Sequence, residues 1–459
     1  MLSHNSKPLG DTHLTLGLCR YVTGSTNLTP TMDILFGALA NFFASLGQAA
    51  GIFAYIWFIV LPPLLYFIFM NLWMPHIWHR FGAKKSYVVL EIIPPRDIEA
   101  SPLPMEYIFA GLAGVKKSLV VHEEYLDGEY AESFALEIAS IEGQVHFYIN
   151  CRTESRSLVE AHFYGQYPDI ELVEVPDYTQ LVPRTVPNKD WNVWGTDFEL
   201  VKDDLYPIRT YKKFEETITG KMLDPLAGII EIMSKAGPGQ HMWFQILITC
   251  EDESWYSTGR ETVDDFIGKK KAHKVGFLGQ VFADVKDVFS NIINMILGHE
   301  MHFGGAHEEE KKEFDEQKIT YGQKEVIKAL EENLGKMMFK TKVRYVYVGR
   351  RENFDKSTGV SGFIGGIKQF NDQNLNSFKP NNATKTKAEF VFVGPRTRYM
   401  QRRIFRRYVE RDAQPYDVRF LLSTEELATI FHIPDMAVTA PTLSRVAAKR
   451  GGAPTNLPI

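Results

Sequence analysis

Residues 132–151 read ESFALEIASIEGQVHFYINC. Two runs rich in apolar and aromatic residues, ESFALEIASI and QVHFYINC, flank Glu142-Gly143, whose small, polar pair suits a tight turn. The two runs therefore read as an antiparallel hairpin. Working outward, SYVVLEII (86–93) is a strand, and Pro104 to Val115 sets Met105, Ile108, Phe109 and Leu112 on one helical face. After the hairpin, Thr153 is placed to cap a helix carrying Leu158, Val159, His162 and Phe163 and closed by Tyr167-Pro168. IELVEV (170–175) is the last strand of the set. The order β-α-β-β-α-β is the split βαβ, or ferredoxin-like, unit, and it is assigned to residues 86–180.

A second pass of the same pattern spans 190–395. A strand near Trp194–Leu200 leads to a helix opened by Asp224-Pro225, with Asp as cap and Pro at the first helical position. Leu226, Ile229, Ile230 and Met233 supply the apolar side of that helix. HMWFQILITC (241–250) is almost continuously apolar, as a strand central in its sheet would be. A mostly helical insertion of about 253–337, containing the charged run HEEEKKEFDEQK, separates it from FKTKVRYVYVGRR (339–351). A helix near 355–370 and a final strand around 389–393 complete the second module.

Composition places the chain among folding sequences: 459 residues, 45% hydrophobic and 23% charged. A formal net charge of −5 excludes a globally basic nucleic-acid binder. Cys19, Cys151 and Cys250, with no C-x-x-C, exclude a disulfide scaffold and a cysteine zinc site. Residues 1–33 are a polar tail whose start is Met1 or Met32. Between Asp33 and Arg80 there is no charged side chain, and 34–80 reads as a membrane anchor with its best span at 49–74. Those 26 residues exceed the ~20 that a crossing needs. Pro62-Pro63 kinks the span. Residues 34–48 carry a stripe of Gly37, Asn41, Ser45 and Gln48 that suits either an interfacial or a second associating helix, so one and two crossings both stay open. Trp73, Trp78, Arg80, Lys84 and Lys85 follow the span, which orients the larger C-terminal part to the cytoplasmic side of an inner (cytoplasmic) membrane. The expected fold class is thus α+β: an N-terminal transmembrane helix and two ferredoxin-like modules, the second with a helical insertion.

Chemistry-bearing motifs are few. His299, Glu300, His302 and His307 bring H-E-M-H, one residue short of the H-E-x-x-H zinc motif, and read as solvated residues of the insertion. Gly362, Gly365 and Gly366 lack the phosphate-binding G-x-x-x-x-G-K-[S/T] pattern and read as a flexible or close-packed helix start. With no nucleophile or paired-carboxylate arrangement, no catalytic residue, metal or cofactor is expected, and the chain reads as non-enzymatic. The sharpest charge feature is RTRYMQRRIFRRYVER, which offers Arg396, Arg398, Arg402, Arg403, Arg406, Arg407 and Arg411 against one acid. These arginines are candidates for contact with an anionic partner, lipid or non-specific nucleic acid. Tyr399, Ile404 and Tyr408 leave an apolar strip between them. The alternative reading of the whole chain follows from this: a membrane-tethered protein that holds anionic lipid or nucleic acid.

The C-terminal end, FLLSTEELATIFHIPD (420–435) followed by APTLSRVAAKRGGAPTNLPI, resembles the junction of membrane-anchored type IV secretion and conjugation ATPases of the TraG/TraD and HerA-like kind. There it leads from the N-terminal region to the motor. YPDIELVEVPDY (167–178), KMLDPLAGIIEIMSKAG (221–237) and IKQFNDQNLNSFKP (367–380) resemble one bacterial lineage of these proteins. In the family a P-loop follows the junction, whereas this sequence stops at Ile459. The resemblance therefore implies an anchor and pre-motor domain, spanning 396–459 as basic helix and junction, whose ATPase is encoded separately or missing. It also implies self-association into rings and a motor subunit as partner.

Overall fold

The computed structural model describes residues 37, 41, 58, 61–95, 101–117, 119–214, 223–251, 254–266, 320–388, 392–412 and 419–435. The chain divides into two compact units, Met1–His76 and Ile77–Ile459. In the first, residues 61–76 are helical. Among the described residues no helix is long and apolar enough to cross a membrane. Residues 49–57, 59 and 60 of the expected 49–74 span lie outside the described residues, as does 34–48 apart from Gly37 and Asn41.

The second unit is an α+β fold built on one antiparallel sheet of nine described strands. These are β1 (Tyr87–Ile93), β2 (Ser133–Ile141), β3 (Gln144–Arg152), β4 (Glu171–Val175), β5 (Trp191–Leu200), β6 (Gln240–Cys250), β7 (Met338–Arg350), β8 (Phe378–Pro380) and β9 (Phe420–Ser423). Their order is β4-β1-β3-β2-β6-β7-β5-β8, with β9 pairing the start of β7. Read inward from the two edges, β4-β1-β3-β2 and β8-β5-β7-β6 are the same arrangement. They meet where β2 pairs β6 from Ser133↔Thr249 to Ile141↔His241. The β2–β3 turn requires glycine: Gly143 sits at φ +91°, and a Cβ there would lie 2.6 Å from the carbonyl oxygen of Ala236.

Strand alternation creates two buried faces. Leu90, Leu136, Ile138, Phe147, Phe244 and Tyr345 point to the larger core. It is covered by α1 (Leu103–Leu112), α2 (Arg156–Gln166), α3 (Ala227–Ser234), α6 (Phe363–Ile367) and α8 (Thr424–Ile430). A Cβ on Gly366 of α6 would lie 3.2 Å from Ile232 Cδ1 and 3.3 Å from Ile229 Cγ1, so the glycine serves close helix packing. Of the insertion, α4 (Ser254–Phe266) and α5 (Tyr321–Leu334) are described, and Val263, Leu330 and Leu334 pack with Leu205. His299, Glu300, His302 and His307 lie outside the described residues. The opposite face buries Val89, Tyr148, Trp243, Val346 and Val348 beneath α7 (Val393–Val409).

Two local expectations are corrected. The last strand of the second pass is Phe378–Pro380, which pairs Leu200↔Phe378 on β5; residues 392 and 393 instead open α7. Residues 389–391 of that expected strand lie outside the described residues, and Pro395 sits in the first turn of α7, where a missing N–H costs nothing. Helix α3 begins at Ala227 rather than at Pro225. The Asp224 carboxylate accepts the N–H of Leu226 at 2.7 Å and of Asp435 at 3.0 Å, and also meets Nε2 of His432 at 3.0 Å. His432 Nδ1 faces the Ala428 carbonyl at 2.8 Å. Both ring nitrogens of His432 therefore face oxygen acceptors. Burial opposes ionisation of Asp224, yet His432 and the two N–H groups hold it below the ordinary carboxylate range.

The α8 segment is fully buried. Ser423 and Glu426 form a capping box, and Glu426 also accepts the Ile208 N–H at 2.8 Å. Glu425 bridges Lys212 and Lys336, each at 2.5 Å. Burial pushes Glu426 from its ordinary 4.5 up to about 7, against those hydrogen bonds. A carboxyl raised on folding keeps a proton that the unfolded chain has released, so stability is lost as pH rises. We predict that this group's share of the stability falls by up to ~3 kcal/mol between about pH 5 and pH 8, measured as the parent-minus-Glu426→Gln difference in unfolding free energy from urea titrations across that range.

Candidate functional site

The basic segment forms α7, whose Ile404, Phe405 and Tyr408 are buried against the sheet. Tyr399 points outward and is exposed, so the docking strip is Ile404–Phe405–Tyr408 and does not include it. Phe405 and Tyr408 both stack on Trp243, and Gln401 donates to the Val193 carbonyl at 2.6 Å. These contacts fix which side of the helix faces away. Arg396, Arg398, Arg402 and Arg406 are exposed, whereas Arg403, Arg407 and Arg411 are half-buried.

Beneath the C-terminal turn of α7 runs a polar row across the sheet. Register places Asp197 (β5) opposite Arg344 (β7), Arg344 opposite Gln245 (β6), and Gln245 opposite Glu137 (β2). The row continues through Tyr148 of β3 to Glu91 of β1. Arg344 donates to Asp197 at 2.8 Å, to the Gln245 side-chain oxygen at 3.1 Å and to the Arg407 carbonyl at 2.6 Å. Gln245 donates to Glu137 at 2.7 Å and to the Tyr408 carbonyl at 3.1 Å. The Arg407 and Tyr408 carbonyls also accept the N–H groups of Asp412 and Arg411 at 3.0 Å each, so the sheet adds a second donor to both, with a cation at the negative end of the helix dipole.

Arg411 closes the arrangement. Its backbone turns left-handed at φ 48°, and its guanidinium forks onto Glu137 at 2.9 and 3.0 Å and onto Asp177 at 2.7 and 3.2 Å. The Tyr178 hydroxyl donates to Glu137 at 3.0 Å and so receives the Tyr408 hydroxyl proton across 2.7 Å. Burial raises Asp197 and Asp177, but Arg344 with Lys342, and Arg411, overcome it and hold both below the ordinary range. Burial pushes the Tyr178 and Tyr408 hydroxyls well up. Glu137 and Asp177 keep Arg411 well above its ordinary value in spite of its burial. Neighbours thus hold Asp177, Asp197 and Arg411 charged, burial holds the two tyrosine hydroxyls protonated, and the row acts as a clamp on the end of α7.

The structure thus divides the sequence candidates: four arginines form an outward cationic strip, while Arg411 is committed to internal carboxylates. The row itself escaped the sequence reading. Its signal is a charged or amide side chain set among mostly apolar neighbours in each strand: Glu137 in FALEIAS, Gln245 in WFQIL, Arg344 in KVRYV and Asp197 in GTDFEL.

The fold and this face define an α+β domain with a clamped basic helix. Residues 81–445 match the family described as a domain of unknown function (DUF8128), and the chain belongs to that family. No curated protein matches the chain.

Removing one member of a buried ion pair strands its partner, which costs ~3–5 kcal/mol. Arg411→Ala is therefore expected to lower unfolding stability by about that much. Arg402→Gln, on the exposed strip, should change it by no more than ~0.5 kcal/mol. Urea denaturation of both variants, compared with the parent, checks the contrast.

Proposed function

We propose that this chain is a membrane-anchored, non-enzymatic domain of a type IV secretion or conjugative DNA-transfer-like machine. It positions an ATPase motor at the cytoplasmic face of the inner membrane and associates with further copies of itself. The observation that carries the anchoring is the exposure of Phe58, Leu64, Leu65, Tyr66, Phe67, Ile68, Phe69 and Leu72, each 46–71% accessible. Surfaces of that kind mark contact with lipid or another protein. Together with the uncharged run from residue 34, they support a stem in the bilayer. The matching quartets β4-β1-β3-β2 and β8-β5-β7-β6, each threaded β-α-β-β-α-β, support reading two ferredoxin-like modules joined edge to edge. The resemblance of 420–435 to the ATPase junction supports the place in the machine.

A second reading rests on the outward Arg396, Arg398, Arg402 and Arg406: a tethered protein that holds anionic lipid or nucleic acid. Replacing these four by Gln leaves the polar row intact and separates the readings. On the first reading the variant still co-isolates with the motor; on the second it loses all partner binding.

The anchoring is tested by fractionating cells and washing the membranes at alkaline pH. The protein should remain in the membrane pellet, with the 81–445 region protected from protease added outside intact cells. Release into the soluble fraction, or cleavage from outside, would defeat the proposal. Purified protein that hydrolysed ATP at a motor-like rate would defeat its non-enzymatic part.

A further inference from the structure

A short segment between α1 and β2 exposes more apolar surface than a solvated loop needs. Val120 and Val121 are 63% and 71% accessible, and Leu126 and Tyr125 are 59% and 40% accessible. The backbone here is helical, ending in one wide turn at Glu123–Asp127 that stops at left-handed Gly128. Four large apolar side chains thus gather within seven residues on the surface, while Glu123 and Glu129 are turned aside onto Lys117 at 2.9 and 3.2 Å.

The segment is pinned. A Cβ on Gly128 would lie 2.5 Å from the Ile77 carbonyl carbon, so only glycine permits this approach, and Ile77 is itself buried. Just beyond, Tyr130 meets the edge of Phe81 at 5.5 Å, and Lys85 and Arg152 stand over the same Phe81 ring. The apolar turn is therefore fastened to residues 77–85. Ile77 comes three residues after Met74, the end of the apolar run, and three extended residues reach at most ~11 Å.

We infer that residues 120–126 form a second membrane contact, an apolar turn seated in the lipid interface beside the point where the chain leaves the bilayer. This rests on the anchoring proposed above, since the short tether makes lipid the nearest apolar medium. Lys117 offsets only one of Glu123 and Glu129, and Glu124 and Asp127 leave the turn net negative, so it fits an electrically neutral lipid surface rather than an anionic one, which would repel it.

The test uses the full chain with Val121→Cys, Leu126→Cys or, as a remote control, Tyr321→Cys, each labelled with bimane. The proteins are reconstituted with phosphatidylcholine vesicles carrying a nitroxide near the headgroup. Unsubstituted protein labelled in parallel accounts for Cys19 and the half-buried Cys250. All three sites are exposed, so unchanged melting temperatures show that the fold is kept. The expected result is loss of about half the emission at 121 and 126, as for a depth of ~5–10 Å, with none at 321. Protein that floats with the vesicles but is quenched no more at 121 and 126 than at 321 overturns this contact and leaves the anchor standing. Protein that fails to float overturns both.

Discussion

Strands β2 and β6 lie side by side along nearly their whole length, from Ser133↔Thr249 to Ile141↔His241. That pairing turns two four-stranded arrangements into one sheet. A lone quartet would leave the edge of β2 or β6 open, with unpaired backbone groups along an apolar strand, which invites association with foreign edges. Here each edge satisfies the other. The outer limits of the sheet are the short strands β4 and β8, the second only three residues long. Because Phe134, Leu136, Ile138, Phe244, Ile246 and Ile248 share one core, the pairing also makes the apolar interior continuous. The Glu137–Gln245 hydrogen bond sits at its centre on the other face.

The later parts of the chain act on both sides of that junction. Helix α7 is held by Arg344 and Gln245 from the second quartet, and Arg411, two residues past its end, reaches Glu137 and Asp177 from the first module. One helix end thus bridges two quartets. On the other face α8 is buried whole, with Glu426, Thr429 and Glu425 holding residues 208–212. Anchoring the C-terminal end of α7 so firmly leaves its outward arginines at a defined place and spacing, which a flexible basic tail could not do. A contact surface and a structural clamp are therefore built from one run of sequence, sorted residue by residue by which side of the helix each occupies.

Much of this was legible because burial writes a period into the sequence. The alternation in 132–151 yields a hairpin with the expected turn, and Met105, Ile108, Phe109 and Leu112 are the buried side of α1. The repeat of the element order was visible for the same reason. Three features were not. The pairing of β2 with β6 joins residues about a hundred positions apart, and no local pattern encodes a partner. The polar row looks in sequence like isolated exceptions within apolar strands; only the register reveals that Asp197, Arg344, Gln245 and Glu137 are neighbours. Of the strand expected around 389–393 only the end is described, and there Phe392 and Val393 open α7 because an apolar run is equally consistent with a helix entry. Charge counting likewise treated Arg411 as equal to Arg402, since nothing in the local sequence signals that the chain reverses after α7.

If the two quartets form one structure, they share one unfolding. Native-state hydrogen exchange followed by mass spectrometry measures this directly. The account predicts that amides in 134–140, 147–150, 242–248 and 343–347 exchange only through global opening, with a common free energy that shifts together as urea is added. Exchange of the β1–β4 amides at a distinctly lower free energy than those of β5–β7, with the β2 and β6 amides dividing between the two groups, would contradict it.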